Sequence, residues 1–306
     1  MGKKIDGHKG FKAFKKGMIC DPTGNKPFKF AENTVFEESE AKICNKGFHY
    51  CENPLDVLDY YPLIDNNGDL TEFAEVEALE EPKTDDNEKF CTTKIKVGAK
   101  LSLPQFINAS FSVMYKKIKN EVTEATKKIK NSGDNAKLAG GDNAKLAGGD
   151  NAKLAGGDNA KLAGGYNAKL AGGYNAKLAG GNYAKLAGGD NAKLAGGYNA
   201  KLAGGDNAQL AGGDNAKLAG GYNAKLAGGD NAKLAGGYNA KLAGGEGALM
   251  VGDHGSIAKG KKGAVILLVE RNKKYEIINF KAVQVDGTTI KENVFYRLNN
   301  GELEEV

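Results

Sequence analysis

Between residues 134 and 245, leucine recurs at every eighth position, and the residues around it repeat in the same register. Each unit reads Asp-Asn-Ala-Lys-Leu-Ala-Gly-Gly, with small changes, and fourteen units follow one another without a gap. Paired glycines at this spacing would interrupt a helix. A disordered Gly-rich linker is the rival interpretation, but disorder gives no reason to keep Leu, Ala and Gly-Gly in register. The pattern therefore predicts a mainly β protein built on a β-solenoid, with equivalent residues stacked about 4.8 Å apart.

The alternation of side chains along a strand predicts which residues of the octad face inward. With residues 135–139 as the strand, Ala and Leu point into the core, whereas Asn and Lys point out, because a buried lysine column would be costly. The predicted core includes Ala136, Leu138, Ala144, Leu146, Ala152, Leu154, Leu162 and Leu170, and the predicted outer surface includes Lys137, Lys145 and Lys153. We expect Gly-Gly to form the corners by supplying a positive φ, and stacked Asn side chains to form ladders.

One octad covers one side of a coil, so we expect two octads, sixteen residues, in each coil. Seven coils would make a rod of about 34 Å, of either right or left hand. The first octad position then falls into two columns, and its tyrosines, with the displaced Tyr183, form a candidate interaction surface: Tyr166, Tyr174, Tyr183, Tyr198, Tyr222 and Tyr238. Three of them, Tyr166, Tyr183 and Tyr198, fall on successive coils of one column. They either pack over the glycine corners or form a stripe for self-association.

The flanking segments have ordinary globular sequence and predict three further parts. Short apolar runs between turns at 10–14, 73–78 and 93–97, with a helix that starts at Pro54, predict a small α+β domain over 1–101. Residues 102–132 predict a long amphipathic helix that connects this domain to the solenoid, or caps the solenoid. The solenoid is expected over 133–253, and a β-rich cap over 254–306, with strands at 263–269, 275–280, 281–285 and 294–298.

The predicted helix opens at Ser102 and Pro104 and has one apolar stripe. The stripe consists of Ile107, Phe111, Met114, Ile118, Val122, Ala125 and Ile129, at the spacing of one helix face. The polar face is rich in lysine, at Lys116, Lys117, Lys119, Lys127, Lys128 and Lys130. A basic amphipathic helix can bind a membrane surface, but packing on the adjoining domain or on the first coil is the preferred interpretation.

Charge separates the repeat from its flanks. The formal net charge of +5 comes from the repeat, where lysines outnumber aspartates. This excess allows an anionic partner such as a nucleic acid, although a solvated charged face is the simpler interpretation. No stretch is long and apolar enough to predict a membrane span, and the start lacks the apolar segment of a signal peptide. We therefore expect a cytoplasmic protein with its four cysteines reduced.

Several segments resemble known families. The run Cys44–Val57, which contains Gly-Phe-His-Tyr-Cys-Glu-Asn-Pro, together with 73–78 and the tail 263–306, resembles an uncharacterised domain family of phage and prophage proteins that carry octad arrays. This resemblance implies a protein in the cytoplasm of a bacterial host, or a virion-associated one. The octad itself resembles that of bacterial ice-nucleation proteins in its period and its Ala-Gly corner. It lacks the Thr rows to which ice binding is linked, and the Gly-x-Asp spacing of calcium-binding RTX repeats.

Candidate chemistry is confined to the N-terminal part. Thiolate and imidazole suit zinc, so Cys44, His49 and Cys51, with Cys91, are weak metal candidates; buried structural residues are the preferred interpretation. Cys51 beside His49 is a weaker candidate nucleophile. The order of elements around His49 also faintly resembles ADP-ribosyltransferase cores, which would imply an inactive relative. We expect no cofactor, and a non-enzymatic structural or interaction protein that associates with itself or binds a partner multivalently.

Overall fold

The computed structural model describes residues 7–20, 27–65, 67, 69–125 and 133–306, with side chains of the long helix described as far as Ile118. The chain divides into two compact units, residues 1–65 with 69–106, and residues 107–306 with 66–68. Strand is far more common than helix in the described chain, as the sequence predicts. In the described part, the helices are too short or too polar to cross a bilayer.

The first unit is built on one antiparallel sheet. The strands of this unit are β1 His8–Phe14, β2 Ile19–Cys20, β3 Phe28–Lys29, β4 Thr34–Glu37, β5 Phe48–Cys51, β6 Glu72–Ala78, β7 Lys83–Thr84, β8 Lys89–Thr92 and β9 Lys94–Leu101. Seven of them form the sheet, in the order β4-β9-β6-β1-β5-β8-β7, and β2 pairs with β3. The strands predicted around residues 10–14, 73–78 and 93–97 are therefore confirmed.

Aromatic side chains fill one face of this sheet. Phe14, Phe30, Phe48 and Phe90 are buried there with aliphatic residues such as Ile95. The helical element predicted at Pro54 is a 3₁₀ helix, Pro54–Asp59, which begins where the side chain of Asn53 accepts the amide of Leu55. Proline suits the first turn because its missing N–H would have no partner there.

The long helix α1 runs over Leu103–Ala125. Ser102, the predicted start, caps the helix: its backbone amide donates to Gln105 Oε1 at 2.8 Å while Gln105 N approaches Ser102 Oγ, a reciprocal capping box. Of its apolar stripe, Ile107, Met114 and Ile118 are buried. The side chains of Lys119, Val122 and Ala125, and residues Lys127, Lys128, Ile129 and Lys130, lie outside the described part of the chain.

The octads form two parallel sheets, and each strand pairs with the strand sixteen residues later. The first solenoid sheet contains β10 Lys137–Ala139, β12 Lys153–Ala155, β14 Lys169–Ala171, β16 Lys185–Ala187, β18 Lys201–Ala203, β20 Lys217–Gly220, β22 Lys233–Gly236, β24 Leu249–Gly252 and β26 Val265–Arg271. The second solenoid sheet contains β11 Lys145–Gly148, β13 Lys161–Gly164, β15 Lys177–Gly180, β17 Lys193–Gly196, β19 Gln209–Gly212, β21 Lys225–Gly228, β23 Lys241–Gly244 and β25 Ile257–Gly260. This pairing confirms two octads per coil.

The core of the solenoid is made of the predicted Ala and Leu columns. Ala136, Ala152, Leu154, Leu162 and Leu170 are buried within one continuous cluster. Leu138, Ala144 and Leu146, in the first coil of the array, are only partly buried, although they pack against the same cluster. The strands are shorter than the predicted 135–139, because the Asn of each octad lies in the corner.

The corners differ from the prediction that glycine supplies a positive φ. The residue in the left-handed region is the Asn of each octad, from Asn135 (φ 59°) to Asn239 (φ 55°), and Tyr183 (φ 60°) in the one octad that reads Asn-Tyr. Asn tolerates this conformation better than other residues with a side chain. Where the repeat changes, Gly247, Gly255 and Gly263 take the same position with positive φ.

Glycine is required in the octad because of space. A Cβ on the first glycine, such as Gly180, would lie 2.5 Å from Ala184 Cβ. A Cβ on the second, such as Gly189, would lie 3.0 Å from the backbone carbon of Gly173 in the coil before it. The paired glycines thus let the chain turn tightly over its own core and let successive coils approach.

The solenoid continues past the predicted boundary at residue 253. β24, β25 and β26 keep the parallel sixteen-residue register, so the solenoid has about eight turns over residues 137–268 rather than seven. Met250, Ala258 and Ile266 replace leucine in the core. Register therefore persists after the octad identity has changed.

Antiparallel hairpins end both solenoid sheets. β27, Ile277–Gln284, pairs with β26, and β28, Tyr296–Asn299, pairs with β25 and with β29, Glu302–Glu305. The two strands predicted at 275–280 and 281–285 are one continuous strand. These hairpins form the C-terminal end of both sheets, where stacking of parallel coils stops.

Candidate functional site

The two solenoid sheets have the same octads but different outer faces. On the second solenoid sheet the outward alanines, such as Ala163 and Ala179, are buried, and Lys161 and Lys177 are half-buried. Each of these lysines has an interaction partner. On the first solenoid sheet the equivalent lysines and alanines are all exposed. This exposed surface is the candidate site.

We call the exposed lysine column of the first solenoid sheet the lysine face. It consists of Lys137, Lys153, Lys169, Lys185, Lys201, Lys217 and Lys233. The strands pair lysine with lysine in register, so the column extends about 29 Å at the spacing of neighbouring strands. An open groove of about 650 Å³ runs across β12, β14, β16, β18 and β20 and is lined by their Lys, Leu and Ala residues.

The corner that precedes each strand of the lysine face carries a second set of columns. Towards both ends of the solenoid, the first octad position in this corner is aspartate. Its Oδ1 accepts a hydrogen bond from the backbone amide of the next coil: Asp134 accepts from Asp150 N at 2.9 Å, and Asp214 accepts from Asp230 N at 3.0 Å. In the middle, Asn182 makes the equivalent bond to Tyr198 N at 3.0 Å. An amide oxygen can therefore replace the carboxylate as the acceptor of the corner amide.

Asparagine side chains also pair between coils, as predicted. Asn167 Nδ2 donates to Asn151 Oδ1 at 2.9 Å, and Asn175 approaches Asn159 at 3.4 Å. Together with the Asp bonds and the backbone ladder, these contacts hold the corners in the same sixteen-residue register as the strands.

Three of the predicted surface tyrosines come together at this corner. The rings of Tyr166 and Tyr183 lie 5.2 Å apart between centroids, and those of Tyr183 and Tyr198 lie 5.7 Å apart, nearly perpendicular. These residues are 50%, 43% and 42% exposed. We call these three residues the tyrosine stack.

The other predicted tyrosines lie on the opposite corner and form no such stack with one another. Tyr174 and Tyr222 are exposed. Tyr238 is half-buried and contacts the rings of His254, at 5.1 Å, and Tyr275, at 6.3 Å. The candidate surface residues therefore divide into one cluster and separate positions.

The N-terminal candidates are placed by β5 and β8. His49 lies opposite Cys91 in the register, and His49 Nε2 accepts the backbone amide of Cys44 at 3.0 Å. Burial, with the charges of Lys12 and Lys89, lowers the pKa of His49 to about 4, so its imidazole is neutral at pH 7. Its ring nitrogen therefore holds the Cys44 turn.

The thiols do not assemble around this histidine as a metal centre. Cys44 is exposed, and Lys89 Nζ lies 2.7 Å from its Sγ, whereas Cys51 and Cys91 are buried. Within the described ranges, no group of three or more His, Cys, Asp or Glu side chains has a geometry suited to a metal ion.

One polar chain in this domain was missed by the sequence analysis. His8 Nδ1 lies 2.7 Å from the hydroxyl of Tyr50, and His8 Nε2 lies 2.8 Å from Glu52 Oε1. The ring of Phe90 contacts both His8 and Tyr50. Burial raises the pKa of Tyr50, so its hydroxyl keeps its proton. The i, i+2 spacing of Tyr50, in β5, and Glu52, just after it, was visible in the sequence, but the pairing of β5 with β1 was not.

The comparisons with known proteins concern this N-terminal part. Residues 8–109 match a family model described as a domain of unknown function (DUF7666). No curated protein and no solved structure matches the chain. The match covers one third of the chain, and the family that it names is uncharacterised.

The difference in burial between the two solenoid faces is the feature that the octad sequence could not reveal. Because the octads are nearly identical, segments outside them must produce the burial of the second face. Residues 107–125 of α1 belong to the same compact unit as the solenoid. A repeat of one sequence thus presents one exposed face.

Proposed function

We propose that this protein is a non-enzymatic interaction scaffold that binds an anionic partner multivalently through the lysine face. The exposure of this face carries the proposal, because the equivalent lysines of the second solenoid sheet are mostly half-buried and already have partners. The N-terminal DUF7666 domain would then supply a second, separate binding function or a structural one.

The register of the sheet makes the lysine face suited to a polyanion. Neighbouring ammonium groups at strand spacing repel each other by up to about 1 kcal/mol per pair in water, and an anionic polymer would replace this repulsion with attraction. Each exposed contact is weak, about 0–1 kcal/mol, but seven contacts on one rigid support act together. Affinity would therefore come from the array.

The proposal can be tested by fluorescence anisotropy on the full chain, with a labelled single-stranded oligonucleotide, duplex DNA and a sulfated polysaccharide at 50 and 200 mM salt. Lys169, Lys185 and Lys201 are changed together to Gln, which the octad already contains at Gln209. We expect at least a tenfold loss of affinity, and binding that weakens steeply with salt.

A control variant removes the same charge elsewhere, at the exposed Lys261, Lys273 and Lys274. It should change the affinity less than threefold. Circular dichroism confirms that both variants fold. Absence of binding to all three polymers at 50 mM salt, or equal losses in both variants, would refute the proposal.

Self-association is a second candidate function, favoured by an apolar patch at the C-terminal end of the first solenoid sheet. There the lysine column gives way to Leu249 and Val251, and the edge strand β27 exposes Ile278 and Phe280, which are 51% and 71% exposed. Exposed apolar surface of this kind marks interaction sites. Analytical ultracentrifugation should then show oligomers that Phe280→Glu converts to monomers; a monomer at all concentrations would exclude this function.

We further propose a phage or prophage origin, which the resemblance of Cys44–Val57 and the octad array supports. Mass spectrometry of purified particles from an induced host tests virion association. The alternative of an ADP-ribosyltransferase-like enzyme is less well supported, because His49 Nε2 already accepts a backbone amide. NAD turnover that disappears in His49→Ala would favour the enzyme.

A further inference from the structure

We infer that the anionic partner of the lysine face is single-stranded nucleic acid, whose bases stack on Tyr166, Tyr183 and Tyr198. This inference rests on the proposed function and specifies its partner. It begins from the position of the tyrosine stack, two or three residues before Lys169, Lys185 and Lys201 on the same coils. The three rings and the three amines thus form two columns on the same coils, two or three residues apart in sequence.

This combination of groups fits single strands better than other polyanions. Proteins that bind single strands pair a positive surface, which follows the phosphates, with aromatic side chains on which bases stack. In a duplex the base faces are already covered, and a sulfated polysaccharide has no flat aromatic face. A lysine column alone would not distinguish these polymers, whereas the tyrosine stack does.

The spacing of the rings also fits an extended strand. The centroids lie 5.2 and 5.7 Å apart, more than the 3.4 Å between stacked bases along one strand of a duplex. A polymer that follows both the rings and the lysines at strand spacing must therefore stretch beyond duplex geometry. A single strand can do so without breaking base pairs.

The acidic residues of this corner are absent from the coils that carry the tyrosine stack. The first octad position is Asp at residues 134, 150, 214 and 230, but Tyr166, Asn182 and Tyr198 occupy the three coils between them. Asn182 keeps the hydrogen bond to the corner amide without the carboxylate charge. The middle of the column therefore lacks the carboxylates that would repel phosphates.

The backbone at Tyr183 supports a role for its ring. A bulky residue at φ 60° is strained, and the equivalent octad positions hold Asn. Exchange of the order Tyr-Asn to Asn-Tyr places the ring on this strained residue, where it contacts the rings of Tyr166 and Tyr198. The strained backbone at Tyr183 therefore places its ring where it joins Tyr166 and Tyr198 into one continuous aromatic surface.

The test compares three ligands on the full chain: a labelled thymidine 20-mer, a 20-base-pair duplex and a sulfated polysaccharide. The variant changes Tyr166, Tyr183 and Tyr198 to Asn, which the octad accepts at both positions, as Asn182 and as the usual second residue. The control changes the exposed Tyr174 and Tyr222 of the opposite corner to Asn. Because the chain has no Trp, tyrosine emission gives a second, direct readout of stacking.

We expect the single strand to bind at least tenfold more tightly than the duplex. The stack variant should lose at least tenfold in affinity for the single strand while the slope of log K against log salt stays unchanged, because phosphate contacts set that slope. The control should change less than threefold. Tyrosine emission should be quenched on binding in the control and in the unaltered protein.

The two proposals fail in different ways. If all three polymers bind equally and the stack variant binds normally, the partner is not single-stranded nucleic acid, and the polyanion scaffold stands. If the sulfated polysaccharide binds most tightly, the inference is likewise overturned. If no polymer binds, both proposals fall.

Discussion

The glycines of the octad lead to a prediction in which one substitution has opposite effects at two equivalent positions. Gly141 and Gly189 are both the second glycine of a pair, and neither has a φ in the left-handed region. A Cβ on Gly141, at the first coil, would meet nothing within 4 Å. A Cβ on Gly189 would lie 3.0 Å from the carbonyl carbon of Gly173 and 3.1 Å from Tyr174 N.

The expected magnitude follows from these distances. The atoms below Gly189 belong to the backbone and are tied by the bond from Gly189 N to Gly173 O at 3.0 Å, so the coils must separate by a few tenths of an ångström. Overpacking of this kind costs about 1–3 kcal/mol, and loss of glycine freedom in the unfolded chain returns about 0.4–1 kcal/mol. We expect Gly189→Ala to destabilise the solenoid by about 1–2 kcal/mol and Gly141→Ala to stabilise it by about 0.5 kcal/mol.

Thermal unfolding of the two variants, followed by far-ultraviolet circular dichroism, measures the difference. One kcal/mol corresponds to about 2–4 °C for a chain segment of this size. Because coils of a repeat protein can open separately, hydrogen exchange of the amides around residue 189 provides a local measurement. Equal midpoints for Gly141→Ala and Gly189→Ala would show that stacking distance is not what requires glycine.

Three further predictions test the corner, the core and the N-terminal histidine. Asn191→Ala should be about 1 kcal/mol less stable than Asn191→Gly in thermal denaturation, because alanine resists the left-handed region that Asn191 occupies at φ 56°; equal stability would contradict this. Leu178→Ala, at a fully buried position, should cost about 2–5 kcal/mol, and Leu138→Ala, in the partly exposed first coil, distinctly less by the same assay. The pKa of His49 in the folded protein is about 4, below its usual 6.5. The neutral imidazole therefore contributes fully to the free energy of unfolding above pH 6.5, and this contribution, about 2 kcal/mol after solvent screening, is lost as the pH falls towards 4. Urea unfolding at a series of pH values should show this loss, and the His49→Gln variant should lack it.

Much of the solenoid could be predicted because the period of the repeat can be read directly from the sequence. The strand alternation identified the Ala and Leu columns, and one octad per side required sixteen residues per coil, which the pairing of Leu154 with Leu170 confirms. The octad sequence did not show where the solenoid ends. Register continues through Met250 and Ile266 after the octad has changed, because the ladder depends on spacing and inward volume rather than on identity.

The corner chemistry was predicted wrongly for a physical reason. Gly-Gly is the usual signal for a positive φ, but Asn also tolerates the left-handed region. The sequence does not show whether a glycine or the nearby Asn adopts the positive φ. The structure shows that Asn adopts the positive φ, and that the glycines leave room for side chains such as Ala184 and for the backbone of the neighbouring coil. Only the distances between coils separate these two roles.

The sequence by itself determined the repeat length, the inward and outward residues, and the alignment of lysine with lysine along the chain, because these follow from local periodicity. It also placed the tyrosines on two columns. Tertiary structure alone decided that one lysine column is exposed and the other mostly half-buried or buried, since identical octads cannot distinguish the two faces and burial depends on what the rest of the chain places beside them. It alone decided that Tyr166, Tyr183 and Tyr198 touch, because ring contacts depend on how closely three coils stack.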